Sequence, residues 1–490
     1  MKPMKISWLG LCLALGACSQ QSSYHRADLA LPDQWQEGDV PALSMQTGSW
    51  WQGFHDPRLD ALVEAVLAAN TNLYVAGLRL KGARIAADQA DTNLTPGVNA
   101  SLGASGTKEI KSGASTHSLG PTLAISYEVD LWGKLAAVRD QASWEAAASA
   151  EDLAATRQSL ISQTLQQYWQ LGYLSSAITL GERQLANLSE IQSLTRVKYE
   201  AGAIPRLDLV QASGQLAGKR AAQANLRNQR VAASNALLQL LGRSRGPVPF
   251  APDGLMLAPI PDIAAGLPAD LLARRPDVRA AELRLRKTLA RSDEVRTSFY
   301  PALTLTGGAS TASDTLAQVL ENPVGSLGAA LTLPFLEYNS NRLAVAGSQN
   351  DYQIAQAEFR QQLFDALFEV ENALAARRFG EQQLASLAEQ QDYAIDADRL
   401  ARVRVEAGSS PVQDWLDEQN RRWDAELALL SQQQTQLNTM ASLYLALGGS
   451  DATGRETMPT PPALRPGDDN QGRAFSPDPS PTEQGKAPAG

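Results

Sequence analysis

The sequence predicts a mainly α-helical chain with a small β part made of four short strands. Three observations lead to this prediction: landmark strings occur twice, two very long stretches have helical composition, and four short segments alternate apolar with small or polar residues. A period of two is typical of strands, and a period near 3.6 is typical of helices. We therefore expect an internal duplication in which each copy contributes two strands and several helices.

The duplication is visible at one long offset, which is the signature of a repeated structural unit. The segment Tyr199–Asp208 matches Val405–Asp414, and Leu241–Gly242 recurs as Leu447–Gly448, each 206 residues further along the chain. Each copy is predicted to contain a helix, two short strands and two further helices.

These landmarks divide the chain into segments. We expect a first structural repeat over 56–245, a Pro-rich linker over 246–266 and a second structural repeat over 267–449. The tail over 450–490 is dominated by Pro, Gly, Asp and Ser and has few apolar residues to bury. The tail is therefore predicted to be disordered.

Each repeat opens with a helix and a hairpin. Apolar residues at helical spacing predict one helix over about 57–93. From Val98 the apolar positions alternate, and they do so again over Leu119–Tyr127 after a polar tip. The second repeat alternates in the same way from Leu303 and from Leu327. Such strands suit a transmembrane barrel, but a soluble sheet with one dry face fits the strand pattern equally well.

Two very long helices follow the hairpins. The stretches 131–200 and 341–407 contain almost no Gly or Pro and much Ala, Gln and Leu. At 1.5 Å per residue each reaches on the order of 100 Å. Apolar spacings of three, four, seven and eleven predict coiled-coil-like packing with narrow seams. Helices that are wetted on one side, as in the wall of a tube, match this composition.

The amino terminus predicts export and lipidation. Residues 1–17 carry lysines, then an apolar run, then small residues, which is the pattern of a secretory signal peptide. The tetrad Leu15–Cys18 is typical of a lipobox, after which Cys18 becomes the acylated terminus of a lipidated segment over 18–55. An ordinary signal peptide with a chance cysteine is the alternative. Ser19, rather than the aspartate that tends to retain bacterial lipoproteins at the inner membrane, favours the outer membrane.

Strand number predicts an oligomer. No later segment approaches the roughly 18 continuous apolar residues of a membrane-spanning helix, so a membrane-spanning part would have to be built of strands. Four strands cannot close a barrel, because the smallest known transmembrane barrels have about eight. Three chains would supply twelve strands and leave no open edge in lipid.

Composition excludes other functions. The net charge of −9 argues against a nucleic-acid partner. The histidines at His25, His55 and His117 are scattered, and they form neither a metal cluster nor a Cys-His pair. We therefore predict no catalytic residues, no metal, no cofactor and no enzyme activity.

Four strings carry a resemblance to a known family. They are Trp50–Leu59, Ser126–Lys134, Leu267–Asp277 and Ser298–Pro301. In this order they resemble the TolC-like outer-membrane efflux proteins, specifically the OprM and NodT lipoprotein branch. The resemblance implies a homotrimer with a twelve-stranded barrel in the outer membrane and a long α-helical barrel in the periplasm. It also implies coupling to a periplasmic membrane-fusion adaptor and an inner-membrane efflux pump of the RND type.

The two Gly-Pro turns lie at the far tips of the long helices, which the resemblance places at the periplasmic mouth. Gly202 and Gly408 are expected to end one helix, and Pro205 and Pro411 to start the next, so these four residues are the predicted hinges.

The resemblance also implies an acidic mouth. Counting from each glycine, a ring-forming pair of aspartates maps onto Asp414 and Asp417, and an acidic gate residue maps onto Asp208. Three-fold symmetry would bring like charges around one axis, which attracts cations and resists closing. A solvated helix start is the alternative for all three.

The usual gate residues of the second repeat are missing. Where such gates use a tyrosine and an arginine, this chain has Val405 and Ser410. Tyr199 and Arg206 of the first repeat are the candidates to replace them.

The function that the resemblance implies is a passive exit duct for drugs or toxic solutes. Metal-ion efflux or type I secretion on the same fold, and a structural periplasmic coiled-coil lipoprotein, are the alternatives. Because the inner-membrane partner chooses the cargo, the sequence does not separate the transport functions.

Overall fold

A computed structural model describes most of the chain. The predicted signal peptide over 1–17, Cys18 and the tail over 450–490 lie outside the described residues. The described ranges are 22–26, 32–36, 49–113, 115–256, 274–311 and 323–449.

The described chain consists of long helices and one small sheet, so the prediction of a mainly α fold with a small β part is confirmed. The order of a helical segment, two strands and two helices occurs twice, and the opening segment of the first copy is divided into two helices. The first set comprises α1 (Pro57–Ala69), α2 (Thr71–Thr92), β1 (Gly97–Lys108), β2 (Ser115–Val129), α3 (Lys134–Glu200) and α4 (Arg206–Leu240). The second set comprises α5 (Pro276–Thr297), β3 (Ala302–Ser310), β4 (Val324–Thr332), α6 (Tyr338–Glu406) and α7 (Val412–Ala446).

The four strands form one antiparallel sheet in the order β1-β2-β3-β4. Within the first copy Ala100 pairs with Leu123, and between the copies Tyr127 pairs with Leu305. Apolar side chains on the sheet point outward, and Leu327 is 96% exposed. Strands β1 and β4 are the two unpaired edges of this sheet.

The prediction of one helix over about 57–93 is wrong. The chain leaves helical geometry at Asn70, whose φ and ψ are −73° and 123°. The Asn70 side chain accepts hydrogen bonds from the backbone N–H groups of Asn72 and Leu73, which caps a second helix. The two helices are bent by 46° to each other. A local capping bond therefore ends the first helix although the apolar spacing continues.

The core lies where the two copies meet. Trp50, from a short 3₁₀ helix over Trp50–Phe54, stacks on Tyr444 of α7 with ring centroids 4.3 Å apart. Phe54 packs edge-on against Trp169 of α3 at 5.0 Å. These aromatic contacts join the amino-terminal segment to a helix of each copy, so the centre of the molecule is a single packed unit.

Among the described helices, none is by itself both long and apolar enough to cross a membrane. Only the bent pair α1 and α2 reaches that length and composition when taken together.

Candidate functional site

The two long hairpins end in tight turns of the same geometry. We call α3 and α4 the first hairpin, and α6 and α7 the second hairpin. Gly202 and Gly408 have φ values of 75° and 70°, which glycine adopts without the steric cost of a side chain. In the first turn the Ala203 N–H donates to the Lys198 carbonyl at 2.9 Å. This is the helix-ending bond of a Schellman motif.

The second helix of each hairpin begins one residue after its proline. Pro205 and Pro411 have extended backbones, with ψ of 154° and 155°, and they act as N-caps. The first helical residues are Arg206 and Val412. The two turns are therefore alike in backbone geometry, and the hairpins differ in their side chains.

The three predicted acidic residues lie at the starts of these helices. Asp208 and Asp414 are in the first turns of α4 and α7, where the helix dipole favours negative charge. Asp417 lies one turn further and accepts a 2.7 Å hydrogen bond from Gln413. Asp414 and Asp417 are exposed, and Asp208 is half-buried. We call Asp414 and Asp417 the acidic pair; three residues apart, they share one helix face.

Tyr199 and Arg206, the predicted replacements for the missing gate residues, do not bind the second hairpin in the described part of the same chain. In the described ranges, no hydrogen bond or ion pair joins the side chain of Tyr199 or Arg206 to the second hairpin. Val405 is half-buried, and the buried Ser410 hydroxyl oxygen lacks a partner among the described residues. A role for Tyr199 and Arg206 in closing the mouth stays a prediction.

Sequence reasoning missed Asp398, which lies on α6 ten residues before the turn. Its carboxylate is buried, and it accepts hydrogen bonds from the Trp415 indole N–H and from Arg422 Nη1, both at 2.9 Å. Arg402 lies over the Trp415 ring at 6.0 Å. An aspartate in a charged helix carries no sequence signal of this role, because only tertiary packing selects its partners.

An apolar cluster joins the two hairpins near their tips. Leu188 and Ile191 of α3 and Leu216 of α4 pack with Leu416 and Trp423 of α7. The second hairpin is therefore fixed against the first through one side of α7.

Next to this cluster Lys219 lies close to Asp424. Burial lowers the pKa of Lys219 from its ordinary value, and the Asp424 carboxylate opposes that shift.

Other apolar side chains at the tips remain exposed in the single chain. They are Leu194, Val197, Leu207, Val210, Leu400 and Val403. Groups of exposed apolar side chains are typical of contacts with another protein.

In the described part of the chain, no group of three or more His, Cys, Asp and Glu residues is arranged to hold a metal ion.

The fold has two long helical hairpins and a sheet with two open edges. The first helix of each hairpin is about 100 Å long and separates its turn from the sheet. These features define a class of protein. It is the class of TolC-like channels, in which helices build a helical barrel and strands contribute to a β-barrel. The family model described as "Outer membrane efflux protein" matches residues 62–243 and 267–449. The chain belongs to this family, so the predicted resemblance is confirmed.

Similar proteins support the same assignment. The chain is 30% identical to outer membrane protein OprJ of Pseudomonas aeruginosa, over 92% of this chain and 97% of that protein. It is 28% identical to the pyoverdine export outer membrane protein OpmQ of the same species, over 94% and 99%. The open-state structure of the Neisseria gonorrhoeae MtrE outer membrane channel matches with a TM-score of 0.81 and 28% identity, over 89% of this chain and 99% of that one. The chain is thus an outer-membrane efflux protein, and the family consists of channels rather than enzymes.

Proposed function

We propose that the chain is one protomer of a homotrimeric exit duct, which an inner-membrane pump of the RND type drives through a periplasmic adaptor. The open sheet is the observation that carries this proposal. Strands β1 and β4 leave unpaired edges, and Leu327 on β4 is almost fully exposed. Unpaired strand edges are not tolerated in lipid, so other copies must close the sheet. Three copies give a closed barrel of twelve strands.

The duct acts passively and carries out no enzymatic step. Its cargo is drugs or other toxic solutes, and the pump selects among them. Co-purification of the chain with an adaptor and a pump of the RND type tests the partners. Recovery instead with a metal-efflux pump or a type I secretion pump would assign a different cargo to the same duct, and a chain that forms no trimer at all would favour a structural lipoprotein.

The acidic pair narrows the resting mouth. Asp414 and Asp417 share an exposed face at the start of α7. Three-fold symmetry sets six carboxylates around one axis, where they attract cations and repel one another. Asp208 of the first hairpin, at the matching turn, contributes a further carboxylate to the same mouth.

Replacement of the acidic pair tests this function. The variant with Asp414→Ala and Asp417→Ala should raise single-channel conductance in planar bilayers and reduce the preference for cations. The matched control replaces Asp392 and Asp396, two exposed acids of α6, with alanine and should behave as wild type. Unchanged conductance in the first variant, or an equal change in the control, contradicts the proposal for the mouth.

A lipid at Cys18 anchors the same end of the molecule as the strands. Ser22 donates from its backbone N–H and its hydroxyl to Asp293 of α5, at 2.8 and 2.7 Å. Helix α5 leads directly into β3, so Asp293 lies near the sheet. Four extended residues span at most about 14 Å. The acyl chains and the strands therefore enter the membrane close together.

The test is acyl labelling. Wild-type protein should incorporate palmitate, and Cys18→Ala should not. Label retained by the variant would contradict lipidation at this residue.

A further inference from the structure

We propose that Asp398 is the positioning residue of the acidic mouth: it fixes the rotation of α7 against α6 and so aims the acidic pair. This inference rests on the proposed function, because it concerns the same constriction. It adds a residue that lies outside the mouth and holds the mouth's geometry.

The Asp398 carboxylate binds α7 at two positions. Trp415 and Arg422 are seven residues apart, which is about 10.5 Å along the axis and nearly the same helix face. Both side chains are long, and they converge on the Asp398 oxygens at 2.9 Å each. Arg422 is held in turn by Glu426 at 2.8 Å. Rotation of α7 in either direction would break at least one bond to Asp398.

The first turns of α7 have three faces with different surroundings. The Trp415 indole N–H binds Asp398 of α6, and its ring also packs against the apolar cluster. Leu416 and Trp423 are buried in that cluster, against the first hairpin. Asp414 and Asp417 remain on the exposed face. Since one rigid helix carries all three faces, a bond on the first face sets the direction of the third.

The first hairpin has different residues at the corresponding positions. We call Asp398, Trp415 and Arg422 the lock residues. The residues 206 positions earlier, in the first hairpin, are Gln192, Leu209 and Leu216. Gln192 makes one weak contact across that hairpin, a 3.4 Å bond to Ser213. Within the described chain, the buried carboxylate lock therefore belongs to the hairpin that carries the acidic pair.

The test measures conductance and selectivity of the full-length protein in planar bilayers. Asp398→Asn removes the charge with little change of shape, and Trp415→Phe removes one hydrogen bond and keeps the ring. We expect Asp398→Asn to raise the time-averaged conductance about tenfold. This factor corresponds to a loss of about 1.4 kcal/mol in the free energy that favours the closed state over the open state. The reversal potential in a salt gradient should also shift towards a weaker preference for cations, because Asp414 and Asp417 remain in the chain but no longer point at the axis. Asp398→Glu should recover part of the closed state.

Asp396→Asn is the matched control, since it removes the same charge from an exposed position two residues away. It should leave the conductance unchanged. Wild-type conductance in both lock variants would overturn the proposal, and so would an Asp398→Asn effect that Asp396→Asn reproduces. If Asp398→Asn does not assemble, Trp415→Phe alone decides. Failure of the proposed function looks different, because the wild-type protein itself would then form no channels.

Discussion

Arg275 connects three helices at the centre of the molecule, and its removal should measurably destabilise the fold. It lies just before α5, and its side chain is 7% exposed. Two of its nitrogens bind Asp277 at 3.0 and 2.6 Å, and the third binds Glu369 of α6 at 2.7 Å and the Ala446 carbonyl of α7 at 3.1 Å. Burial by itself would raise the pKa of Asp277, but the bonds from Arg275 bring it below its usual value.

The size of the effect follows from what the Arg275→Met substitution leaves behind. Breaking a buried ion pair costs about 3–5 kcal/mol. Asp277 keeps bonds from the Val278 N–H and from Gln362, and Glu369 is largely exposed, so the cost falls at the lower end, about 3 kcal/mol. For a unit the size of one repeat, that loss lowers the melting temperature by about 6–12 °C.

The assay is thermal unfolding in detergent, followed by circular dichroism at one heating rate, because large proteins often unfold irreversibly. Arg399→Met, which removes an exposed ion pair with Asp396, should cost at most about 0.5 kcal/mol. Adding Asp277→Asn to Arg275→Met should recover much of the loss, since the unpaired buried charge is then removed. Equal melting temperatures for the two single variants, or no recovery in the double variant, would refute the reasoning.

Two further predictions concern the ends of this central unit. Gly448→Ala should destabilise the fold by about 2–4 kcal/mol, because φ is +87° and a new Cβ would lie 2.9 Å from the Arg274 carbonyl carbon. The control is Gly408→Ala, because the turn at Gly408 has open space for a Cβ. Equal melting temperatures for the two variants would contradict this prediction. Burial would raise the pKa of Glu282, but Arg26 and Arg286 lower it overall. The Arg26 contact is therefore fully present above about pH 4.3 and is lost as pH falls through the depressed pKa. Protease cleavage after Arg26 should increase in acid for wild type, and Glu282→Gln should be cleaved readily at neutral pH; equal cleavage at both pH values would count against this contact.

The sequence predicted the local elements because local spacing determines them. Period-two alternation located the four strands of the described residues, and the two long helices begin and end within a few residues of their predicted bounds. The break at Asn70 was missed, since one side-chain cap there outweighs an apolar pattern that continues on both sides. The turns at Gly202 and Gly408 have the positive φ that a glycine after a helix predicts.

What the sequence by itself determined is therefore the order of elements, the family and the positions of the acids at the turns. Only the tertiary structure decided which side chains hold those turns in place. Asp398 meets Trp415 and Arg422 because α6 and α7 pack against each other in one hairpin, and Arg275 meets Ala446 because the start of α5 lies beside the end of α7 within the second copy. Such contacts join residues far apart in the chain. Their partners follow from the relative rotation of packed helices, which a one-dimensional pattern does not record.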